Sequence, residues 1–513
     1  MLKRIRRILA IVFFALITLL FLDFTGTLHT WFGWMAKVQF LPAVMALNLG
    51  VVIALILLTL IFGRIYCSVI CPLGVMQDLF AWLGRERTRN RYTYSRAKSG
   101  LRWGILILFV LAMIFGIASF VALLAPYSSY GRIANNLFSP IYILVNNVFA
   151  YFAERADSYS FYHKEIVIKS LATFAIAAIT FIVIAFLAYR NGRTYCNTIC
   201  PVGTILGVFA RFSLFKPVID RSKCISCTLC TKNCKCSCID IKGGYKIDYS
   251  RCVTCGNCIE VCNKNALRYR FAYSKGLKLK EGNVEQKNRD NQFKDAENKI
   301  DSGRRNVLAI GALFASVAAA KGQENLEEKL IDGGLADILP KDKLVRTTQI
   351  VPPGAVGLKH LTSHCTGCQL CITVCPNKVL RPSDELITLM QPRSSYEKGF
   401  CRPECTKCSD VCPAGAIKKI DIEKKSSIQI GHAVWDAGLC LPMAKGITCG
   451  NCARHCPSGA IELIPVDPSD DASPQFPVVN EEKCIGCGAC EYVCPVRPQS
   501  AIYVEGHEVH REI

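Results

Sequence analysis

CISCTLCTKNC, from Cys224 to Cys234, and CVTCGNCIEVC, from Cys252 to Cys262, each set four cysteines at CxxCxxCxxxC spacing. Three closely spaced thiolates on a tight loop can hold three corners of a cubane cluster. The fourth, at the start of the next helix, reaches across to the neighbouring cluster. Working outward from these two runs, four more groups appear near the C-terminus. They are Cys365, Cys368, Cys371 and Cys375; Cys401, Cys405, Cys408 and Cys412, with a wider first gap; Cys440, Cys449, Cys452 and Cys456; and Cys484, Cys487, Cys490 and Cys494. Six groups of four predict six [4Fe-4S] clusters in a chain of 513 residues with 30 cysteines. A disulfide framework or zinc knuckles would also use many cysteines, but zinc sites do not repeat this four-cysteine run. Such clusters are loaded where thiols stay reduced, so insertion is expected in the cytoplasm.

Net charge is +21. Each oxidised cluster with its four thiolates contributes about −2, so six bring the total to about +9. The basic residues sit beside apolar stretches, which speaks for a membrane and against a nucleic-acid partner. Four stretches are apolar enough to cross a bilayer, which takes about 20 residues: Ile8 to Phe24, Leu41 to Phe62, Ile105 to Ala125 and Val167 to Ala188. Lys3, Arg4, Arg6 and Arg7 precede the first, but no small-residue cleavage site follows it, so it reads as a retained helix. The connection between the second and third carries Arg64, Arg85, Arg87, Arg89, Arg91, Arg96 and Lys98. By the positive-inside rule that connection and the N-terminus are cytoplasmic, and so is the chain after Arg190. The other two loops carry aromatics suited to an outer interface, among them Trp31, Trp34, Tyr127 and Tyr130.

GRIYCSVICPLG begins at Gly63 and GRTYCNTICPVG at Gly192, with eight of twelve positions identical. Two helical hairpins ending in the same cysteine pair suggest a pseudo-twofold module that gathers Cys67, Cys71, Cys196 and Cys200. Spacing at i, i+4 puts each pair on one face of a helical turn, so a shared metal or cluster is geometrically feasible, without the metal being named. A reduced, packed pair at a helix end is the simpler alternative. Cys236 and Cys238 are extra; either could replace Cys234 as a ligand or serve as a small buried side chain.

Residues 1 to about 275 resemble membrane ferredoxins of the NapH type, related to MauN and to the membrane part of nitrous-oxide reductase regulators. The two GRxYCxxxCP elements and the cluster pair after them carry the match. From about residue 302 the chain resembles exported polyferredoxins of the NapG/MauM type, with four clusters behind a twin-arginine segment. The resemblance therefore implies a fusion of both partners and the parts of a quinol dehydrogenase. The membrane part would take electrons from quinol, and the ferredoxin parts would pass them to an extracytoplasmic reductase. In similar four-cluster proteins the outer motifs pair with each other and the inner motifs with each other. The cytoplasmic pair is expected to cross, with Cys262 joining Cys224, Cys227 and Cys230, and Cys234 joining Cys252, Cys255 and Cys258. One departure from the pattern is that Lys235 and Asn263, not proline, follow Cys234 and Cys262.

The expected architecture is an α-helical membrane bundle of four transmembrane helices (residues 1–215), an α+β ferredoxin-like 2[4Fe-4S] domain on the cytoplasmic side (216–274), a linker (275–350) and a second α+β four-cluster domain (351–513). Within the linker, Arg304 and Arg305 precede an apolar run from Val307 to Ala320. As a helix this run spans about 21 Å, short of the roughly 30 Å hydrocarbon core, and suits a twin-arginine signal for a domain exported folded. A fifth anchor, or a cytoplasmic amphipathic helix that leaves all clusters inside, are the alternatives. The chain is thus expected in the bacterial inner membrane, multi-pass, with its C-terminal domain outside. The segment Tyr127 to Tyr162 reads as an interfacial helix, with Arg132, Tyr130 and His163 as candidates for binding quinone carbonyls or moving its protons. There is no CxxCH for c-type haem and no GxGxxG in a strand–helix setting. The functional expectation is electron transfer from the quinone pool. A factor that reduces or delivers a metal through its CxxxCP pairs is the alternative.

Overall fold

In the computed structural model, residues 2–23, 26–87, 92–158, 161–164, 169–273, 330–331, 337–469 and 473–513 are described. The N-terminal half is built from helices: α1 (Leu2–Leu22), α2 (Leu49–Phe62), α3 (Pro72–Arg87), α4 (Ser99–Ile114), α5 (Ala118–Leu124), α6 (Pro126–Ile133), α7 (Ser139–Arg155), α8 (Leu171–Asn191) and α9 (Pro201–Ala210). Among the described residues, only α1 and α8 are long and apolar enough to cross a membrane. The second predicted stretch is broken: a helix Phe40–Met45 ends, Leu47 takes a positive φ of 52°, and α2 restarts behind the Asn48 cap. The third breaks at Gly116, whose φ of 72° separates α4 from α5. The segment after Tyr127 is not one interfacial helix either. All of α6 is buried, a π-helical turn Ala134–Phe138 follows, and α7 begins where Pro140 lacks an amide donor.

Along α1 and α8 many large apolar side chains face outward, among them Ile8, Ile11, Ile179 and Val183, while Ile17, Leu20, Phe21 and Ile184 pack inward. A helix of a water-soluble domain would show the opposite distribution. Each repeat has one plan: a long apolar helix, a glycine with positive φ (Gly63, 75°; Gly192, 73°), the cysteine pair, and a second helix opened by proline at its first turn. The second helices are exchanged. The α3 helix of the first repeat packs on α8, and α9 of the second packs on α2.

The cysteine-rich regions add small antiparallel pairs. Strands β1 (Phe215–Ile219) and β2 (Leu267–Phe271) bracket the first region, with Phe215 opposite Phe271. In the second, β3 (Leu380–Pro382) pairs with β4 (Pro392–Ser394), β6 (Ile461–Pro465) with β7 (Gln475–Val479), and β5 (Ile428–Trp435) with β8 (Ile502–Glu512). The helices and both cysteine-rich regions fall in one unit, residues 1–273, 343–496 and 500–513. A second unit, residues 274–342 with 497–499, shows a two-residue pairing of Leu330–Ile331 with Asp337–Ile338. Arg304, Arg305 and the segment 303–322 lie outside the described residues.

The two long helices are gripped at opposite ends. At the start of α8, Ser170 Oγ donates to Asp384 Oδ1 (2.5 Å) and Lys169 Nζ to Ile372 O (3.4 Å), both in the second cysteine-rich region. At its end, Arg193 N donates to Lys235 O (2.8 Å) in the first. The α1 helix repeats this in reverse order: Lys3 pairs with Glu260, and Gly26, just beyond its C-terminus, approaches Lys407.

Candidate iron–sulfur centres

Four of the six cysteine loops share one backbone. The residues on either side of the second cysteine have positive φ: Ser226 and Thr228, Thr254 and Gly256, Gly367 and Gln369, Gly486 and Gly488. Alternating the hand of the chain around a cysteine curls the loop so that its three thiols converge and its amides turn inward, a concave arrangement that suits an anionic cluster. The Cys401 and Cys440 loops, whose spacing departs from the pattern, lack these conformations. Amides also reach sulfur directly, from Gly367 N to Cys365 Sγ (3.4 Å), Ile417 N to Cys412 Sγ (3.4 Å) and Ala460 N to Cys456 Sγ (3.3 Å). None of the thirty cysteines is joined in a disulfide.

Cavities show which cysteines meet. Cys224, Cys227, Cys230 and Cys262 line one of about 170 Å³. Cys252, Cys255 and Cys258 share another with Cys234, Cys236 and Cys238. Thus the fourth cysteine crosses to the partner loop in this pair. In the second region Cys375 joins Cys401, Cys405 and Cys408, and Cys494 joins Cys440, Cys449 and Cys452. Cys412 lies in electrostatic reach of Cys365 and Cys371, and Cys456 of Cys484 and Cys487. Third therefore pairs with fourth and fifth with sixth, which corrects the outer-with-outer expectation. The β3–β4 and β6–β7 hairpins fold adjacent motifs onto each other before a distant partner can be reached. The two halves then touch where Cys401 N donates to Cys487 O (2.9 Å). These donor sets, four or more thiols around each space, fit [4Fe-4S] clusters, which carry single electrons when bound.

Cys236 and Cys238 are not remote from the chemistry. Cys238 Sγ lies 3.5 Å from Cys234 Sγ, and both extra thiols line the Cys252 cavity. The structure thus offers six thiols to a four-ligand centre.

The two CxxxCP pairs come together where the repeats cross. Cys71 and Cys200 each interact electrostatically with Cys67 and Cys196, and all four are buried. The arginine of each repeat serves the other one. Arg64 Nη2 donates to Cys196 O (3.2 Å) and lies 3.7 Å from Cys67 Sγ, while Arg193 Nη1 donates to Cys67 O. The final glycine of each repeat makes room: a Cβ on Gly74 would sit 2.3 Å from Cys67 O, and one on Gly203 2.4 Å from Cys196 O. Arg64 was counted above as a loop cation, yet it and Arg193 are fully buried. Among the described residues no three Cys, His, Asp or Glu side chains close to single-ion distance.

Asp78 on α3 binds this crossing to the first cluster region. It receives Arg193 Nε (2.6 Å), Lys235 Nζ (2.5 Å) and Arg6 Nη1 (3.5 Å). Burial pushes its carboxyl up, but Arg193, Lys235 and Arg6 outweigh that and hold it below the ordinary carboxylate range. Lys235, noted only as a missing proline, is thus a structural cation. Asp78 carried no motif that the sequence could have revealed.

The three quinone candidates are not gathered. Arg132 is fully buried and donates to Ala122 O (2.7 Å) and Ser129 Oγ (3.1 Å). Tyr130 is equally buried, its hydroxyl 2.5 Å from Thr18 Oγ1, whereas His163 is exposed. Arg132 and Tyr130 belong to the packing between α6 and its neighbours. The same face meets the second cysteine-rich region: Asn135 and Asn136 donate to Gln369 Oε1 (3.1 and 3.0 Å) beside Cys368, and Tyr127 lies in electrostatic reach of Cys368 and Cys412.

These features define a class, a ferredoxin-type iron–sulfur protein with multiple [4Fe-4S] clusters. A 4Fe-4S binding domain family matches residues 44–91 and 172–219, the two repeats, and a further 4Fe-4S binding domain matches 245–268. Two 4Fe-4S dicluster domains match 364–417 and 445–497, in keeping with the pairing above. The chain is 26% identical over 198 residues to the putative electron transport protein YccM of Escherichia coli, covering 38% of this chain and 47% of YccM. It is 36% identical over 174 residues to the methylamine utilization ferredoxin-type protein MauM of Methylobacillus flagellatus (32% of this chain, 70% of MauM). To the ferredoxin-type protein NapH of Haemophilus influenzae it is 27% identical over 187 residues (36% of this chain, 52% of NapH). It spans about half the length of YccM and NapH. No solved structure matches. The chain belongs to the MauM/NapG family of ferredoxin-type proteins, here fused to a NapH/MauN-type part.

Proposed function

We propose that this protein carries electrons across the bacterial inner membrane, from quinol through its [4Fe-4S] clusters to a redox partner, a reductase, on the extracytoplasmic side. One observation carries the reading: the two cysteine-rich regions hold opposite ends of α1 and of α8, each 21 residues long. Such a helix is about 31 Å long, the thickness of a bilayer core. On this reading α1, α2, α4 and α8 cross the membrane, the shorter two completed by the segments beyond their breaks. The arginine-rich connection and residues 216–274 then lie on the cytoplasmic side and residues 351–513 outside, as the positive-inside rule requires.

The Cys67, Cys71, Cys196 and Cys200 crossing is, in this reading, a further redox centre along the path. Arg193 ties it to the first cluster region through Lys235 O. Toward the other side, Arg132 lies in electrostatic reach of both Tyr195, next to Cys196, and Cys368. Metal delivery is not favoured, since all four thiols are sealed from solvent.

Quinol-dependent reduction of the clusters, followed by visible bleaching and electron paramagnetic resonance in anaerobic membranes, tests the proposal. Bleaching on adding a reduced quinone is expected. Clusters that stay oxidised with quinol, while dithionite reduces them, would refute it.

A further inference from the structure

A cavity of about 480 Å³ lies between α1 and α3, within the size range of small-molecule sites. From Lys3 to Ala15 it follows α1 for about 18 Å, and its two ends differ. One end is polar, with Arg6, Asp78, Tyr92, Lys235 and Asn257. Farther along α1 the lining is apolar, with Ile11, Phe14 and Ala15, and Leu79 and Trp82 of α3 add apolar surface near Asp78. Ile11, Leu79 and Trp82 are also exposed on the outer surface of the helices, so the apolar end opens where lipid would lie. Arg6, nine-tenths buried, spends Nη1 on Ser68 O (3.1 Å) and Asp78, while its Nε has no partner. A buried N–H left unpaired is costly, and an acceptor oxygen in the cavity would satisfy it.

The polar end also abuts a cluster. Lys235 sits between Cys234 and Cys236, and Asn257 between Cys255 and Cys258, whose thiols line the adjoining cluster cavity. A polar head with acceptor oxygens beside an electron acceptor, followed by an apolar tail leading to lipid, describes a membrane quinone. An anionic phospholipid would match the cations and the tail but has no use for the cluster.

We infer that the α1–α3 cavity is the quinol site, with the head group at Arg6 and Lys235 and the isoprenoid tail leaving past Phe14 and Ala15. This rests on the quinol reading above and moves the site away from Arg132, Tyr130 and His163. Oxidation there breaks both O–H bonds of the quinol. It releases two protons at the charged mouth by Lys3 and Arg7, and yields two electrons to oxidised clusters of this chain. The product is quinone.

Photolabelling of the full-length protein in lipid nanodiscs with an azidoquinone, followed by peptide mapping, tests the site. Label is expected within residues 3–15 and 75–82, displaced by excess ubiquinone. Ala15→Trp, which plugs the apolar end, should lower labelling about tenfold, with dithionite-reducible absorbance unchanged. Label confined to residues 126–163, labelling indifferent to Ala15→Trp, or displacement by cardiolipin but not by ubiquinone would each overturn the assignment. The wild-type map decides alone if the variant fails to fold. Bleaching by quinol with label elsewhere would defeat the site and spare the function. Label in the cavity without bleaching would do the reverse.

Discussion

Asp78 holds one negative charge among Arg6, Arg193 and Lys235, and removing it leaves buried cations without a counter-charge. Breaking a buried ion network by deleting one partner costs about 3–5 kcal/mol. Asp78→Asn is therefore expected to destabilise the protein by that order, measured by thermal unfolding in detergent. The pH dependence has a definite sign. A carboxyl depressed in the folded state contributes stability above its ordinary titration range and loses it as pH falls through the folded value. Since Asp78 is depressed, its contribution should persist in melts between about pH 7 and about pH 5, and fade only in stronger acid. At this scale the sequence was informative about cysteines and poor about charges. Arg64 read as a loop cation because an arginine near an apolar run usually reaches water. Its identity with Arg193 at the second position of each repeat was the available signal that both are built into the crossing.

Between elements, one close approach joins α6 to the Cys365–Cys371 loop. A Cβ on Gly131 would lie 2.4 Å from Cys368 O and 2.8 Å from the Phe21 ring, and one on Gly367 3.0 Å from Ala122 Cβ. Gly131→Val should force the loop off the helix. Faster amide hydrogen exchange in residues 365–375 would report it, with the amides of 252–262 unchanged. Equal exchange in both segments of the variant and the parent would show that this contact does not hold the domain. The elements themselves were legible only in part. Hydropathy found the apolar stretches, but it averages over the breaks at Leu47 and Gly116, where one residue with positive φ ends a helix inside an apolar run. The exchange of α3 and α9 between repeats left no mark in either repeat alone.

For the molecule as a whole, the decisive quantity is the side on which each cysteine-rich region lies. Protease added to sealed spheroplasts is expected to cut within residues 343–513 and to leave 215–273 intact; inverted vesicles should give the opposite pattern. Cleavage of both regions from one side would mean that α1 and α8 do not span. The sequence by itself determined the cofactor class, the six cysteine groups and the repeat, because three thiols on a short loop depend on local spacing and backbone hand alone. Only the tertiary structure decided which groups share a centre in the second cysteine-rich region, that Cys236 and Cys238 stand beside one in the first, that Arg132 and Tyr130 are fully buried, and that the two cysteine-rich regions take opposite ends of the long helices. Those outcomes depend on hairpins, helix exchange and buried ion pairs between residues far apart in the chain. No local pattern encodes them, since each contact is fixed by how the whole chain packs.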